Sequence, residues 1–115
     1  MRIGSRKQYL HYRADARALV HERLAYFNRA YGHVYHRVAI RNTRSRWGSC
    51  SKKGNLNFNY RVALLPSHLR DYVIVHELCH LREFNHSPNF WALVGQGVPE
   101  CKALRAALRR VSMRG

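Results

Sequence analysis

The chain is poor in acid. Its 115 residues hold 21 Lys and Arg against 6 Asp and Glu, a formal net charge of +15. Such a balance disfavours basic partners and fits a polyanion or an acidic surface. No apolar run approaches the roughly 20 residues that a membrane helix needs, so no membrane partner is expected. Residues 1–13 are basic and polar and lack the apolar centre of a secretory signal, which makes the cytoplasm the expected location. Cys50, Cys79 and Cys101 are an odd number with no Cys-x-x-Cys pair, which argues against a disulfide framework. There is no internal repeat, low-complexity stretch or linker. The expectation is therefore one domain, residues 1–115, with 46% hydrophobic residues to build a core.

The positive charge is unevenly spread. Residues 1–46 carry +9, residues 47–99 carry +2 and residues 100–115 carry +4. Arginine supplies 17 of the 21 cations, which suits forked contacts to phosphate. Arg6, Arg13 and Arg17 are the candidate nucleic-acid contacts. Charge alone gives only non-specific affinity, and a solvated basic surface is the simpler account.

Against that background one stretch stands out: Val75-His76-Glu77-Leu78-Cys79-His80-Leu81. Residues four apart share a helix face, so His76 and His80 project together as two ligands of a tetrahedral metal. Glu77, one step round, reaches a water at the metal without being a ligand. His-Glu-x-x-His is the pattern of metal-dependent hydrolases, in which the metal acidifies a water and the glutamate takes its proton. Leu69, Tyr72, Val73, Ile74, Val75, Leu78, Cys79, Leu81 and Phe84 are apolar nearly all round a helix expected over about His68 to Phe84, with Ser67 as N-cap. Burying histidines and a glutamate there is costly unless they are paired or metal-bound. Cys79 reads as a small buried apolar residue.

The third ligand has two candidates. His86 lies six residues after His80 and requires the chain to turn at about Asn85, a residue that tolerates the left-handed conformation. Ser87-Pro88 then starts a new helix carrying Phe90, Trp91, Leu93 and Val94, which Gly95 and Gly97 end. Glu100, twenty residues after His80, is the rival, although an acid after Pro99 also suits a helix N-terminus. The spacing of His76, His80 and His86 matches the metzincin peptidases. Glu83 stands where they have glycine, and Met113 is too near the chain end to form their methionine turn.

Elsewhere the pattern predicts a helix from about Arg6 to Tyr31, with a stripe of Tyr12, Ala16, Leu19, Val20, Leu24, Phe27 and Tyr31 and a stop at Gly32. Strands are expected at Val34–Arg41, Trp47–Ser51 and Asn55–Tyr60, the last two joined by a turn at Lys52-Lys53-Gly54. Leu56, Phe58 and Tyr60 alternate with Asn55, Asn57 and Asn59 as a buried and a polar face. The fold class is thus α+β: an N-terminal helix, a small antiparallel sheet, the motif helix and C-terminal helices, a zincin-like order. A sheet edge beside the motif helix can pair with an extended peptide. Asn57 and Asn59 could donate hydrogen bonds to that peptide, and Trp47 could wall its pocket. Tyr72, His68 and Arg82 are candidates to stabilise an oxyanion. Arg44, Arg46 and Arg61 could contact substrate or phosphate.

The ordered set Thr43-Arg44-Ser45-Arg46-Trp47-Gly48-Ser49-Cys50, Gly54-Asn55-Leu56-Asn57-Phe58-Asn59, Leu65-Pro66, Asp71 to Leu81, Asn85-His86-Ser87 and Phe90-Trp91 resembles the YgjP-like metallopeptidase domain, over roughly Tyr9 to Leu108. That domain is related to the SprT-like and WLM zinc peptidases, some of which act on DNA–protein crosslinks. The resemblance implies one zinc per chain bound by His76, His80 and His86, Glu77 as general base and a polypeptide substrate. Longer members carry a further N-terminal segment that this sequence lacks. Some members carry a nucleotide pyrophosphatase label, so a metal-dependent nucleotide hydrolase is an alternative. A nucleic-acid-binding module with structural zinc is another, but such zinc needs a fourth protein ligand and the sequence offers no obvious one.

Overall fold

The computed structural model describes residues 5–111. Helix α1 spans Arg6–Tyr31, as its stripe predicts. The Ser5 hydroxyl caps its start by accepting from the Gln8 amide at 3.1 Å, and Gly32 closes its end at φ 66°, donating to the Asn28 carbonyl. Ala16, Val20 and Leu24, four apart, are fully buried.

Three strands follow: β1 (Arg37–Arg41), β2 (Gly48–Cys50) and β3 (Asn55–Asn59). Their order is β1-β3-β2, and the sheet is mixed rather than wholly antiparallel as expected. The β2–β3 pair is antiparallel, closed by a turn in which Gly54 takes φ 85°. The β1–β3 pair is parallel. The reason is burial. Strand β3 carries two fully buried residues, Leu56 and Phe58, whereas β1 buries only Ile40 and β2 is half-buried throughout. The most apolar strand takes the centre. Segment 42–47 carries the chain past that place, so β3 enters antiparallel to β2 and therefore parallel to β1.

A 3-10 helix at Tyr60–Leu64, which the alternation of β3 hid, leads into α2 (Ser67–His80). Pro66, not Ser67, holds the N-cap position, and its carbonyl accepts from Leu69 and Arg70. Helix α2 packs against α1, β2, α3 and α4, which explains why it is apolar nearly all round. It ends at His80, four residues short of Phe84, because the chain tightens: the Leu81 amide bonds Leu78 and the Arg82 amide bonds Cys79. Phe84 is left exposed. The turn needs no left-handed Asn85, since no described non-glycine residue has positive φ. Helix α3 (Pro88–Gly97) starts as expected, with the Ser87 hydroxyl accepting from the Phe90 amide and Pro88 first in the helix. Gly95 lies inside it. Helix α4 is Cys101–Arg109. Met113, noted for the absent methionine turn, lies outside the described residues. Among those residues no helix is long and apolar enough to cross a membrane.

Two polar devices lock the helices together. The Arg23 guanidinium grips Asp71 on α2 with both fork nitrogens at 3.1 Å, tying α1 to the motif helix. Tyr31 ties α1 to α3: its hydroxyl donates to the Leu93 carbonyl at 2.7 Å and accepts from the Gly97 amide at 2.8 Å. Tyr31→Phe strands both groups in a part-buried site. It is expected to cost about 1–3 kcal/mol in urea unfolding, and a loss under a few tenths would show the clamp to be idle.

Candidate metal centre

His76 and His80 sit one turn apart on α2 with ring centroids 4.7 Å apart. His86 reaches them from the loop before α3, and one ligand atom from each of the three lies within 4.8 Å of the others. The close contact is His80 Nε2 to His86 Nε2 at 3.1 Å. His80 Nδ1 lies 2.9 Å from the Glu83 carbonyl, to which it can only donate. His80 Nε2 is then a bare acceptor facing a second imidazole nitrogen. Such a pair is satisfied by a shared proton or by a cation between the two. Ligands at 2.0–2.1 Å on a tetrahedral zinc stand about 3.3 Å apart, close to this spacing. The donor set fits such a metal. Burial holds the pKa of both His80 and His86 below the ordinary value, and for His86 the neighbouring imidazoles add to the effect. Both favour the neutral, ligating form.

Aromatic rings frame the three histidines. Phe90 is fully buried and stacks on His80 at 4.3 Å. Trp91 stacks on His86 at 5.8 Å, and Arg105 from α4 lies 4.9 Å over Trp91. Sequence reasoning placed Phe90 and Trp91 only on an apolar helix face. Their position in the first turn after Ser87-Pro88, directly behind a ligand, was the available signal. Arg105 had none.

Glu77 is buried, 6% exposed, and its Oε2 lies 3.1 Å from His76 Nδ1. Strand β2 presses on it. A Cβ on Gly48 would stand 2.9 Å from Glu77 Cγ and 3.1 Å from the Asn57 carbonyl, so only glycine leaves the glutamate its place.

The other candidates scatter. Glu100 is exposed beside the start of α4 and lines a cavity with His68 and Asp71, outside the histidine group. Arg82 is exposed, and its charge acts on His33. Tyr72 is buried, edge-on to His76 at 5.7 Å, and burial pushes its hydroxyl up to about 12. Trp47 is half-buried against the core, its carbonyl accepting from the Asn59 amide. Asn57 stays half-exposed, bonded to Ser49 and Arg41. Asn59, expected on the polar face, is instead 2% exposed. Its amide donates to the Thr43 and Arg46 carbonyls and its oxygen accepts from the Arg61 amide. Buried Arg61 bonds Thr43 as well, so both residues hold segment 43–46. The β3 strand ends at this point, and the alternation ends with it. Arg6, Arg13 and Arg17 are exposed on α1, the last two lining a cavity beside Ile40.

A family profile described as YgjP-like, metallopeptidase domain, matches residues 5–111. The fold is similar to two solved structures. One is the metallopeptidase zymogen abylysin of Pyrococcus abyssi, at TM-score 0.63 and 24% identity, covering 81% of this chain and 98% of that one. The other is the metallopeptidase zymogen jannalysin of Methanocaldococcus jannaschii, at TM-score 0.60 and 23% identity, covering 83% and 94%. No curated protein sequence matches.

Zinc titration by calorimetry is expected to give one site per chain, lost in His86→Ala and retained in Glu100→Ala. The reverse pattern would make Glu100 the third ligand. Lowered histidine pKa values put proton uptake below the ordinary 6.5. Zinc is therefore expected to stay bound at pH 6.5 and to be released only as pH falls further. The metal-free protein binds more protons unfolded than folded in that window, so its stability is expected to fall as pH falls.

Proposed function

Since the chain belongs to the YgjP-like metallopeptidase family, we propose that it cleaves polypeptides at the three-histidine centre, with zinc as the metal and Glu77 as general base. The observation that carries this reading is the convergence of His76, His80 and His86 beside a buried glutamate. A zinc ion there supplies Lewis acidity, lowering the pKa of a water and polarising a carbonyl. Glu77 accepts the proton of the attacking water and returns it to the leaving amine. Phe90 and Trp91 wall the histidines and exclude water from one side.

The sheet offers a seat for the substrate. Asn59 bonds Trp47 and Ser51 bonds Asn55 across the β2–β3 pair. In an antiparallel ladder the amides and carbonyls of the intervening Gly48 and Cys50 then point away from β3, to the outer edge of β2. Among the described residues no strand pairs with that edge. An extended peptide docked there lies beside Glu77, which Gly48 touches. Trp47 and Asn57 flank the same strand.

A nucleic-acid contact through Arg6, Arg13 and Arg17 is a second reading, favoured by their common exposure on α1.

Cleavage of an unstructured protein, followed by mass spectrometry with and without single-stranded DNA, tests both. Glu77→Gln is expected to keep zinc and lose about 10²–10⁴-fold in rate. Unfolding of that variant would point to a structural motif. Parent protein that releases phosphate or pyrophosphate from nucleoside triphosphates, and cuts no peptide, would favour the nucleotide hydrolase. DNA-independent cleavage would remove the second reading.

Gly48→Ala must displace Glu77 or β2. It is expected to bind zinc as the parent does while losing at least about tenfold in kcat, through a misplaced base. Unchanged kcat would show that the close packing has no catalytic role.

A further inference from the structure

We propose that the cavity on the outer face of the sheet is a specificity pocket for an acidic side chain of the polypeptide substrate, read by Arg41 and Arg46. This rests on the peptidase reading above. The cavity holds about 420 Å³ and is lined by Arg41, Ser45, Arg46, Gly48, Ser49 and Asn57 among others.

Its charge is uncompensated. Between Glu22 and Asp71 the sequence has no Asp or Glu. Among the described residues the arginine–carboxylate pairs all converge on Asp71, and none involves Arg41 or Arg46. An exposed guanidinium pair without a carboxylate is a standing site for one.

Its framework is held in place. Arg41 Nε donates to Asn57 Oδ1 at 3.3 Å, and the Asn57 amide donates to the Ser49 hydroxyl at 3.3 Å. The Arg46 carbonyl accepts from the Thr43 hydroxyl at 2.9 Å and from the buried Asn59 amide at 3.1 Å. Buried Arg61 secures Thr43 from beneath. The backbone carrying Arg46 is thus fixed by hydrogen bonds to Thr43 and Asn59, which line the cavity, with Arg61 behind them, and this reduces the ordering cost of binding.

Its position suits a substrate side chain. Gly48 belongs to both sites: its would-be Cβ points at Glu77, and its backbone lines the cavity. Ser49 and Asn57 pair on the opposite face from Gly48 and Phe58. A peptide strand on the outer edge of β2 alternates its side chains between these faces. The residue opposite Gly48 faces Glu77, and its neighbours turn to the face of Ser49, toward Arg46 and the Arg41 side chain that reaches across to Asn57 on the central strand. An extended peptide thereby reaches the pocket without a second binding surface. A nucleic-acid strand would need a continuous track, whereas Arg13 and Arg17 line a separate cavity beside Ile40 on the other edge strand.

The test measures binding, so that it does not depend on turnover. Zinc-loaded Glu77→Gln protein is titrated with fluorescent decapeptides in which one Glu is moved through every position, each beside its Gln twin. At one or two positions the Glu peptide is expected to bind about tenfold tighter than its twin. That difference should vanish in Arg41→Gln/Arg46→Gln, and in Arg46→Glu a Lys peptide should gain instead. Glu and Gln peptides equal at every position would overturn the proposal, as would a difference that survives in the double variant. So would a pocket whose variants weaken only a single-stranded oligodeoxynucleotide, which would make it a nucleic-acid site. Cleavage of the same peptides by the parent is scored separately. A Glu preference in binding without cleavage removes the peptidase reading and keeps the acidic-peptide pocket. Cleavage without a Glu preference does the reverse.

Discussion

Two imidazole nitrogens 3.1 Å apart, on His80 and His86, are the contact on which the arrangement depends. Neither nitrogen satisfies the other unless a proton or a cation lies between them. Everything around them serves that approach. Helix α2 must stop at His80, because one more helical turn would swing the chain past the site. The Glu83 carbonyl uses up the only other nitrogen of His80 and turns its lone pair inward. Ser87 and Pro88 then start α3 at once, so that Phe90 stacks on His80 and Trp91 on His86. Tyr31 holds the far end of α3 to α1 and keeps those rings in place.

The sheet contributes through what it omits. Strand β2 is three residues long and begins with a glycine whose missing Cβ is the room in which Glu77 sits. Among the described residues the same strand is an edge, with the main-chain groups of Gly48 and Cys50 paired to no strand on that side. The tight slot of Glu77 and the strand edge beside it therefore come from one short segment. The mixed topology makes this possible. Placing apolar β3 in the centre sends β2 to the edge that faces the motif helix.

Legibility followed the physics. The approach of His76 and His80 was readable because helical spacing alone puts them on one face, with Glu77 one step round. His86 was readable because Ser87-Pro88 announces a new helix and so forces a turn before it. Helix α1 was readable from Ala16, Val20 and Leu24. Strand direction was not, since alternation says which residues share a face and nothing about which strand lies beside which. Asn59 and Arg61 were misread for a related reason. A buried polar pair that holds a loop looks, in sequence, like an exposed one, and only the hydrogen-bond partners Thr43 and Arg46 distinguish them. Nothing in the sequence marked Gly48 as the neighbour of Glu77, because a close approach from a distant helix leaves no local trace.

The scarcity of acid sets the charge around the histidines. Half of the chain's six carboxylates, Asp71, Glu77 and Glu83, lie on or just beyond the motif helix. Asp71 is held by Arg23, which fixes the helix to α1, and by its own neighbour Arg70, and the two leave that carboxylate neutralised. Glu83 serves through its backbone carbonyl, which any residue could supply, so its side chain is not part of the geometry where the metzincin pattern has glycine. Only Glu77 brings a carboxylate into the cluster itself. A metal carrying two positive charges on three neutral imidazoles would thus find one nearby acid. On the peptidase reading proposed above that acid takes a proton rather than completing the ligand shell, which is the difference between a catalytic site and a closed structural one.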